Sequence, residues 1–203
     1  MALTDKLDGK VDGRAARAER TRNAVVDALL DLIDGGTLQP TAQEVAERAG
    51  VSLRIVYVHF EDTQKLFAAA AARQSERIVA DFKMLSDTGP FAERLEAFVA
   101  MRARIYQRVF NTRRAARLYE HAAPLVANTL AFVRAAKREE AERVFGKELA
   151  RFSPSLRRDR AAALGAVTSF NNWESLRAHQ QLSVEDARRV WRGLIAAVLQ
   201  KED

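Results

Sequence analysis

Residues 40–67 read PTAQEVAERAGVSLRIVYVHFEDTQKLF. Pro40 introduces Thr41-Ala42-Gln43-Glu44, which fits a capping box. The Thr41 hydroxyl accepts an orphan backbone N–H at the start of a helix, and Glu44 reaches back to it. Val45, Ala46 and Ala49 form the apolar side of that short helix, and Gly50 stops it. Ser52 caps a second short helix, Leu53 to Phe60, and Asp62 or Thr63 caps a longer one. Ala46 is small enough for two helices to cross closely, Gly50 permits a turn that a Cβ would hinder, and Val51 plugs the turn from below. The two short helices form a helix-turn-helix candidate. Such a pair can place the N-terminal residues of its second helix against base edges in a DNA major groove. It also occurs as a plain structural corner.

Outward from this stretch the pattern stays helical. Val25, Leu29, Leu32 and Ile33 recur at steps of three and four, and Gly35-Gly36 ends the run, so a helix is expected from Arg14 to Gly36. Residues 1–13 are short of large apolar side chains, contain Gly9 and Gly13, and read as a mobile tail. After Asp62 no strong breaker occurs until Gly89-Pro90. Helices are then expected at 91–110, 113–122, 125–151, 155–180 and 184–200. Their separators are Asn111-Thr112, Pro124, Ser153-Pro154 and Leu182-Ser183. Strand-like alternation is absent, so the fold class is all-α with about nine helices.

Composition sets the outer bounds. A chain of 203 residues with 48% apolar and 30% charged side chains is neither disordered nor fibrous. The absence of Cys excludes disulfides, thiolate metal sites and Cys nucleophiles. The net charge of +6 permits nucleic acid, an acidic partner or an anionic ligand, and chooses none. The N-terminal residues lack the apolar core of a secretory signal, and no apolar run approaches the ~18–20 residues that span a bilayer. A soluble, cytoplasmic chain without a membrane partner is expected. No phosphate-binding P-loop, H-E-x-x-H or G-x-S-x-G motif occurs, so neither an enzyme nor a metal or cofactor is expected.

The 40–67 stretch resembles the signature of TetR-family transcriptional regulators. Thr41, Val45, Ala46, Ala49, Gly50, Val51, Ser52, Val56, Tyr57, His59 and Phe60 match it, and Arg20-Thr21-Arg22 followed by a helix ending at Gly35-Gly36 is similar to the family's first helix. The resemblance implies a helix-turn-helix DNA-binding domain at 14–62 and a ligand-binding and dimerisation domain at 63–203. It implies a repressor that a small-molecule effector releases from double-stranded operator DNA. The alternative is a similar DNA-binding protein regulated by a protein partner, or without a ligand. The family often has a polar residue where Ile55 stands and a Lys where Thr63 stands; here the Lys is Lys65. Residues 1–60 carry 8 Lys/Arg and 9 Asp/Glu, a net of −1, so positive charge is local to Arg14, Arg17, Arg20 and Arg22.

The implied DNA-contacting set is Arg14, Arg17, Arg20, Thr21, Thr41, Ser52, Leu53, Arg54, Ile55, Tyr57, His59 and Lys65. The N-terminal arginines are read as a phosphate or minor-groove arm rather than a solvated helix start. Arg54 can bond guanine O6 and N7 bidentately. Leu53 and Ile55 either touch thymine methyls or pack in the core, while Val56 and Phe60 point inward. Tyr57 and His59 match positions that touch phosphates, and Thr41 can cap its helix and bond a phosphate together.

In the remaining chain, Ala163, Leu164, Val167, Phe170 and Asn171 lie near one face of the 155–180 helix, and Ala187, Trp191, Leu194, Ile195 and Val198 share a face of the last helix. The resemblance implies a homodimer through these last two helices, which would form a four-helix interface; packing within the monomer is the other use of such faces. In the 91–110 helix Arg102 interrupts an apolar stripe. A buried charge needs a partner: an internal carboxylate such as Glu120 or Glu174, or an anionic ligand. The expected ligand-binding residues are Phe98, Arg102, Tyr106, Asn128, Phe132, Asn171 and Trp173. Residues 102–117 carry six Arg and no acid, which fits an exposed face or a second DNA-facing patch.

Overall fold

The computed structural model describes residues 4–80, 84–121 and 123–200, with side chains from residue 13 onward except those of 77–80. Eleven α-helices and one π turn occur among the described residues, with no strand, which agrees with the all-α expectation. Local chemistry sets the boundaries of the first four. α1 spans Thr4–Asp34 and ends on left-handed Gly36 (φ 103°), where the Thr37 N–H turns back to the Leu32 carbonyl at 3.0 Å. α2 is Ala42–Ala49 and α3 is Leu53–His59. α4, Thr63–Ala80, starts where the Asp62 carboxylate accepts the Lys65 N–H at 2.7 Å.

α1 begins ten residues before the Arg14 start read from the sequence. Residues 4–13, taken there for tail, are helical, and Met1–Leu3 lie outside the described residues. Gly9 and Gly13 cost about 1 kcal/mol each in a helix. Lys6, Leu7 and Lys10 around Gly9, and Arg14 to Arg17 after Gly13, are good helix formers.

The later helices are α5 (Phe91–Arg108), α6 (Phe110–Tyr119), α7 (Pro124–Val144), α8 (Gly146–Leu149), α9 (Pro154–Val167), α10 (Phe170–Glu174), the π turn (Ser175–His179) and α11 (Val184–Leu199). Three expectations shift. Asn111 and Thr112 do not separate helices: they sit in the first turn of α6, where Asn111 donates to the Asp34 carbonyl (3.1 Å) and Thr112 to its carboxylate (3.3 Å). The 125–151 helix breaks at Phe145, which is fully buried with its ring 5.1 Å from that of Phe98. The 155–180 helix breaks at Thr168, whose hydroxyl bonds back to the Leu164 carbonyl at 2.7 Å, and Ser169 restarts it by accepting the Asn172 N–H. Such hydroxyl-to-backbone bonds compete with the helix.

The chain forms two compact units. One comprises Met1–Val79 with Asn111–Ala127; the other comprises Ala80–Phe110 with Asn128–Asp203. In the first, Val25, Leu29, Leu30 and Ile33 of α1 meet Val45 and Ala46 of α2, Val56 of α3, Phe60, and Leu66 and Phe67 of α4. Ala115 of α6 joins this core, and Tyr119 lies against Phe67 with ring centroids 4.0 Å apart.

In the second unit α11 packs on α5 and α9. Trp173 and Trp191 are fully buried with rings 4.9 Å apart. The Trp191 indole N–H donates to the Val167 carbonyl at 2.6 Å. Ala187, Trp191 and Ile195, read from the sequence as part of a dimer face, are fully buried within the monomer. The last helix has one strongly apolar side, and the monomer core takes it. A weaker stripe, Val190, Gly193, Leu194 and Ala197, points outward.

Trp191→Ala is expected to cost about 3–5 kcal/mol in chemical denaturation, the usual price of emptying a buried aromatic site. Trp191→Glu with Ile195→Glu is expected to abolish near-ultraviolet circular dichroism and cooperative melting. A folded monomer in sedimentation would show instead that these residues lie in an interface.

Candidate nucleic-acid interface and a buried ionic core

The helix-turn-helix is built from three local devices. At its entry the Thr41 hydroxyl accepts the Glu44 N–H (3.2 Å), and the Glu44 carboxylate accepts the Thr41 N–H (2.7 Å) and hydroxyl (2.8 Å). These bonds hold the Glu44 carboxyl below its ordinary range. At the turn Gly50 is left-handed (φ 67°), and the Val51 N–H donates to the Ala46 carbonyl at 3.0 Å. At the start of α3 the Ser52 hydroxyl accepts the Ile55 N–H at 3.4 Å. Both expected caps are present, so the Thr41 and Ser52 hydroxyls are engaged with their own helices.

This geometry sorts the residues of α3. Val56, and Phe60 just beyond the helix, are buried in the core. Leu53 is 36% exposed, Ile55 37%, Tyr57 49% and Val58 73%, and Arg54 is exposed beside them. Leu53 and Ile55 are partly exposed and lie outside the buried core of the first unit. His59 is half-buried. Val58 was missed in the sequence, although the inward i, i+4 pair Val56 and Phe60 already places it on the opposite side. A seven-residue helix with four exposed apolar or aromatic side chains around one arginine is unusual for a surface that meets only water.

On α1, Arg14, Arg17 and Arg20 are exposed. The Thr21 hydroxyl donates to the Arg17 carbonyl at 3.0 Å. Arg22 lies over the Phe60 ring at 5.1 Å, tying the first helix to the end of α3. Lys65 is exposed but bonded to Glu61, and that bond raises its pKa.

The seven expected ligand residues do not come together. Asn128, Phe132 (74% exposed) and Asn171 lie on the surface. Phe98, Arg102, Tyr106 and Trp173 are buried. Arg102 is fully buried, and its partner is Glu140 of α7, at 2.7 Å, rather than Glu120 or Glu174. The same guanidinium donates to the Lys137 carbonyl (3.1 Å), the Thr168 carbonyl (3.3 Å) and the Tyr106 hydroxyl (3.4 Å), and sits 4.5 Å from the Phe98 ring centroid. The Tyr106 hydroxyl donates to the same Thr168 carbonyl at 3.1 Å. The break after α9 therefore supplies the acceptor. Lys137 borders the cluster, and burial together with the Arg102 charge lowers its pKa. Arg102 Nε, Glu140 Oε1, Asn172 Oδ1 and Trp173 Nε1 are buried without hydrogen-bond partners among the described residues.

No protein-family model and no curated protein matches the sequence. Solved structures do match. A transcriptional regulator from Rhodococcus sp. Rha1 shares 21% identity at a TM-score of 0.65, covering 90% of this chain and 95% of that one. A TetR-family transcriptional regulator from Streptomyces coelicolor shares 18% identity at 0.61, covering 89% and 79%. NalD of Pseudomonas aeruginosa, the secondary repressor of the MexAB-OprM multidrug efflux pump, shares 20% identity at 0.56, covering 88% and 95%. The chain has the fold of TetR-family transcriptional regulators.

Two substitutions probe the two sites. A Cβ on Gly50 would meet nothing within 4 Å; Gly50→Ala is expected to cost about 1–2 kcal/mol through the left-handed backbone alone, read as a lower denaturation midpoint at unchanged slope. Glu140→Ala strands a buried guanidinium and is expected to cost about 3–5 kcal/mol. Arg102→Met combined with Glu140→Leu should recover most of that loss in the same measurement.

Proposed function

We propose that this chain is a TetR-family transcriptional regulator, a dimeric repressor that occupies operator DNA and is released by a small molecule. The observation that carries the reading is the exposed face of α3. Leu53, Arg54, Ile55, Tyr57 and Val58 stand out from a helix whose other side is locked into the core. Arg54 is placed to read a guanine in the major groove, and Leu53 and Ile55 to meet thymine methyls. Tyr57, His59 and the Thr41 end of α2 would lie along the phosphates. Arg14, Arg17 and Arg20 would supply the basic arm. Lys65 would have to leave Glu61 to join them.

A single reader covers half of a palindromic site, so the protein would act as a dimer. Because Trp191 and Ile195 serve the monomer core, the outward stripe Val190, Gly193, Leu194 and Ala197 is the part of α11 left for a partner helix, with the outer side of α9 beside it. The effector would act on the core of the second unit, around Phe98, Arg102, Tyr106 and Trp173. The Arg102 charge is already balanced by Glu140, which favours a neutral, hydrophobic or aromatic effector over an anionic one. To release DNA, the effector must bind the DNA-incompetent state better; a tenfold loss of operator affinity needs about 1.4 kcal/mol of coupling.

Arg54→Ala is expected to relax preference at one base position per half-site, at a cost of about 1–3 kcal/mol of discrimination. Selection from a randomised-site library measures it. An unchanged preference would remove Arg54 from the reading surface. A full chain that selects no sequence at all would remove the function.

A further inference from the structure

The outward side of α3 is poor in hydrogen-bonding groups. Leu53, Ile55 and Val58 are exposed there and can neither donate nor accept through their side chains. The buried pair Val56 and Phe60 fixes the inward direction. At ~100° per residue the direction opposite that pair falls on Val58, which is accordingly 73% exposed. Arg54 and Ile55 precede Val58 by four and three positions, so the three side chains are neighbours on one outer ridge. Leu53 and Tyr57 form a second pair on the flank.

The ridge is therefore one guanidinium beside two branched aliphatic side chains. The nearby hydroxyls face other duties: that of Ser52 accepts the Ile55 N–H at 3.4 Å, and that of Thr41 is bonded to Glu44 at 2.8 Å. Ile55 and Val58 are β-branched and stiff at χ1, so their methyl groups are held in place before any contact forms. In the major groove the one apolar group that a base pair presents is the C5 methyl of thymine. The helix rises about 4.5 Å between Ile55 and Val58, comparable with the ~3.4 Å step along a DNA strand. Two such side chains can serve two successive base pairs.

Resting on the operator reading above, we propose that the protein recognises C5-methylated pyrimidines in its DNA site. Each half-site holds two thymines beside the guanine bonded by Arg54, and Ile55 and Val58 select them by their methyl groups. Selection at these two positions comes from an apolar group rather than from a hydrogen bond. 5-Methylcytosine therefore satisfies it, and uracil and unmethylated cytosine do not.

The test uses the full-length chain and the duplex that it selects from a randomised-site library. Two comparisons in one half-site differ by the methyl alone: thymine against uracil, and 5-methylcytosine against cytosine, each opposite its usual partner. Each lost methyl is expected to weaken binding about fourfold, the effect of exposing one buried CH₂-sized group. Val58→Ala should shrink that difference below about twofold at one thymine and Ile55→Ala at the other, the non-additivity that marks a direct contact. Both variants should keep the parent's circular dichroism and its preference for the guanine. Equal binding within both comparisons overturns the proposal. So does a methyl effect that survives both substitutions, which would belong to the stiffness of the DNA, and so does a selected site without thymines beside the guanine. In all three outcomes the chain still selects a site and the operator reading stands; a chain that selects no sequence overturns both.

Discussion

The head of the protein depends on one backbone constraint, the left-handed turn at Gly50. With φ at 67° the chain reverses between α2 and α3 within three residues, Gly50 to Ser52. The Val51 N–H then closes onto the Ala46 carbonyl, which brings α3 across α2 at the place where Ala46 has no bulk. Everything on α3 follows from that crossing. Val56 and Phe60 are driven into the core of α1 and α4, and by helical geometry Arg54 and Val58 must then face away. The surface that would read DNA is thus a consequence of packing on the opposite side. The space beside Gly50 is open; the requirement for glycine there is conformational and owes nothing to crowding.

This part of the molecule was legible because its signals are local. Thr41 with Glu44, Gly50, and Ser52 each act within four residues, so their spacing in the sequence is their spacing in space. The second unit was less legible because its decisive contacts are not local. Arg102 reads as a charge in need of a partner, but helical periodicity cannot choose among carboxylates; Glu140 wins because α7 runs past α5, 38 positions along the chain. The break at Thr168 had a local sign, the adjacent hydroxyls of Thr168 and Ser169, but in a helical text such pairs are usually tolerated. Its tertiary cause is invisible in the sequence: the Thr168 carbonyl freed by the break is the acceptor that Arg102 and Tyr106 share. The last helix was ambiguous for a third reason. Its strongest apolar side answers equally to a monomer core and to a dimer face, and amphipathicity alone does not say which surface it meets.

Charge in the first unit is distributed by engagement rather than by count. Arg48 is paired with Asp31, Arg73 with Asp27, and Lys65 with Glu61. Arg22 is spent against the Phe60 ring. These contacts subtract cations from the pool that could meet an external phosphate, leaving, among the described side chains of residues 13–67, the exposed positions Arg14, Arg17, Arg20 and Arg54. A net charge of −1 over residues 1–60 is therefore compatible with a locally positive reading edge. Screening at physiological salt, with a Debye length of about 8 Å, makes the near charges count far more than the sum.

Two arginines of α5 show how the same residue type can do different work. Arg94 is saturated: its Nε donates to the Gly89 carbonyl, and its two terminal nitrogens meet the two Glu148 oxygens at 3.0 and 2.5 Å. Burial pushes the Glu148 carboxyl up, yet the Arg94 bonds outweigh it and the pKa is lowered. Such a pair has no capacity left, and its role is to fix α5 against the α7–α8 joint. Arg102 and Glu140 are buried as deeply but leave Nε and Oε1 unpaired. A buried pair repays its desolvation only when its remaining donors and lone pairs are satisfied, so the Arg102 cluster is the poorer bargain of the two. The unsatisfied pair, beside the interrupted helix whose carbonyl it uses, makes the Arg102 cluster the less completely bonded of the two buried ion pairs.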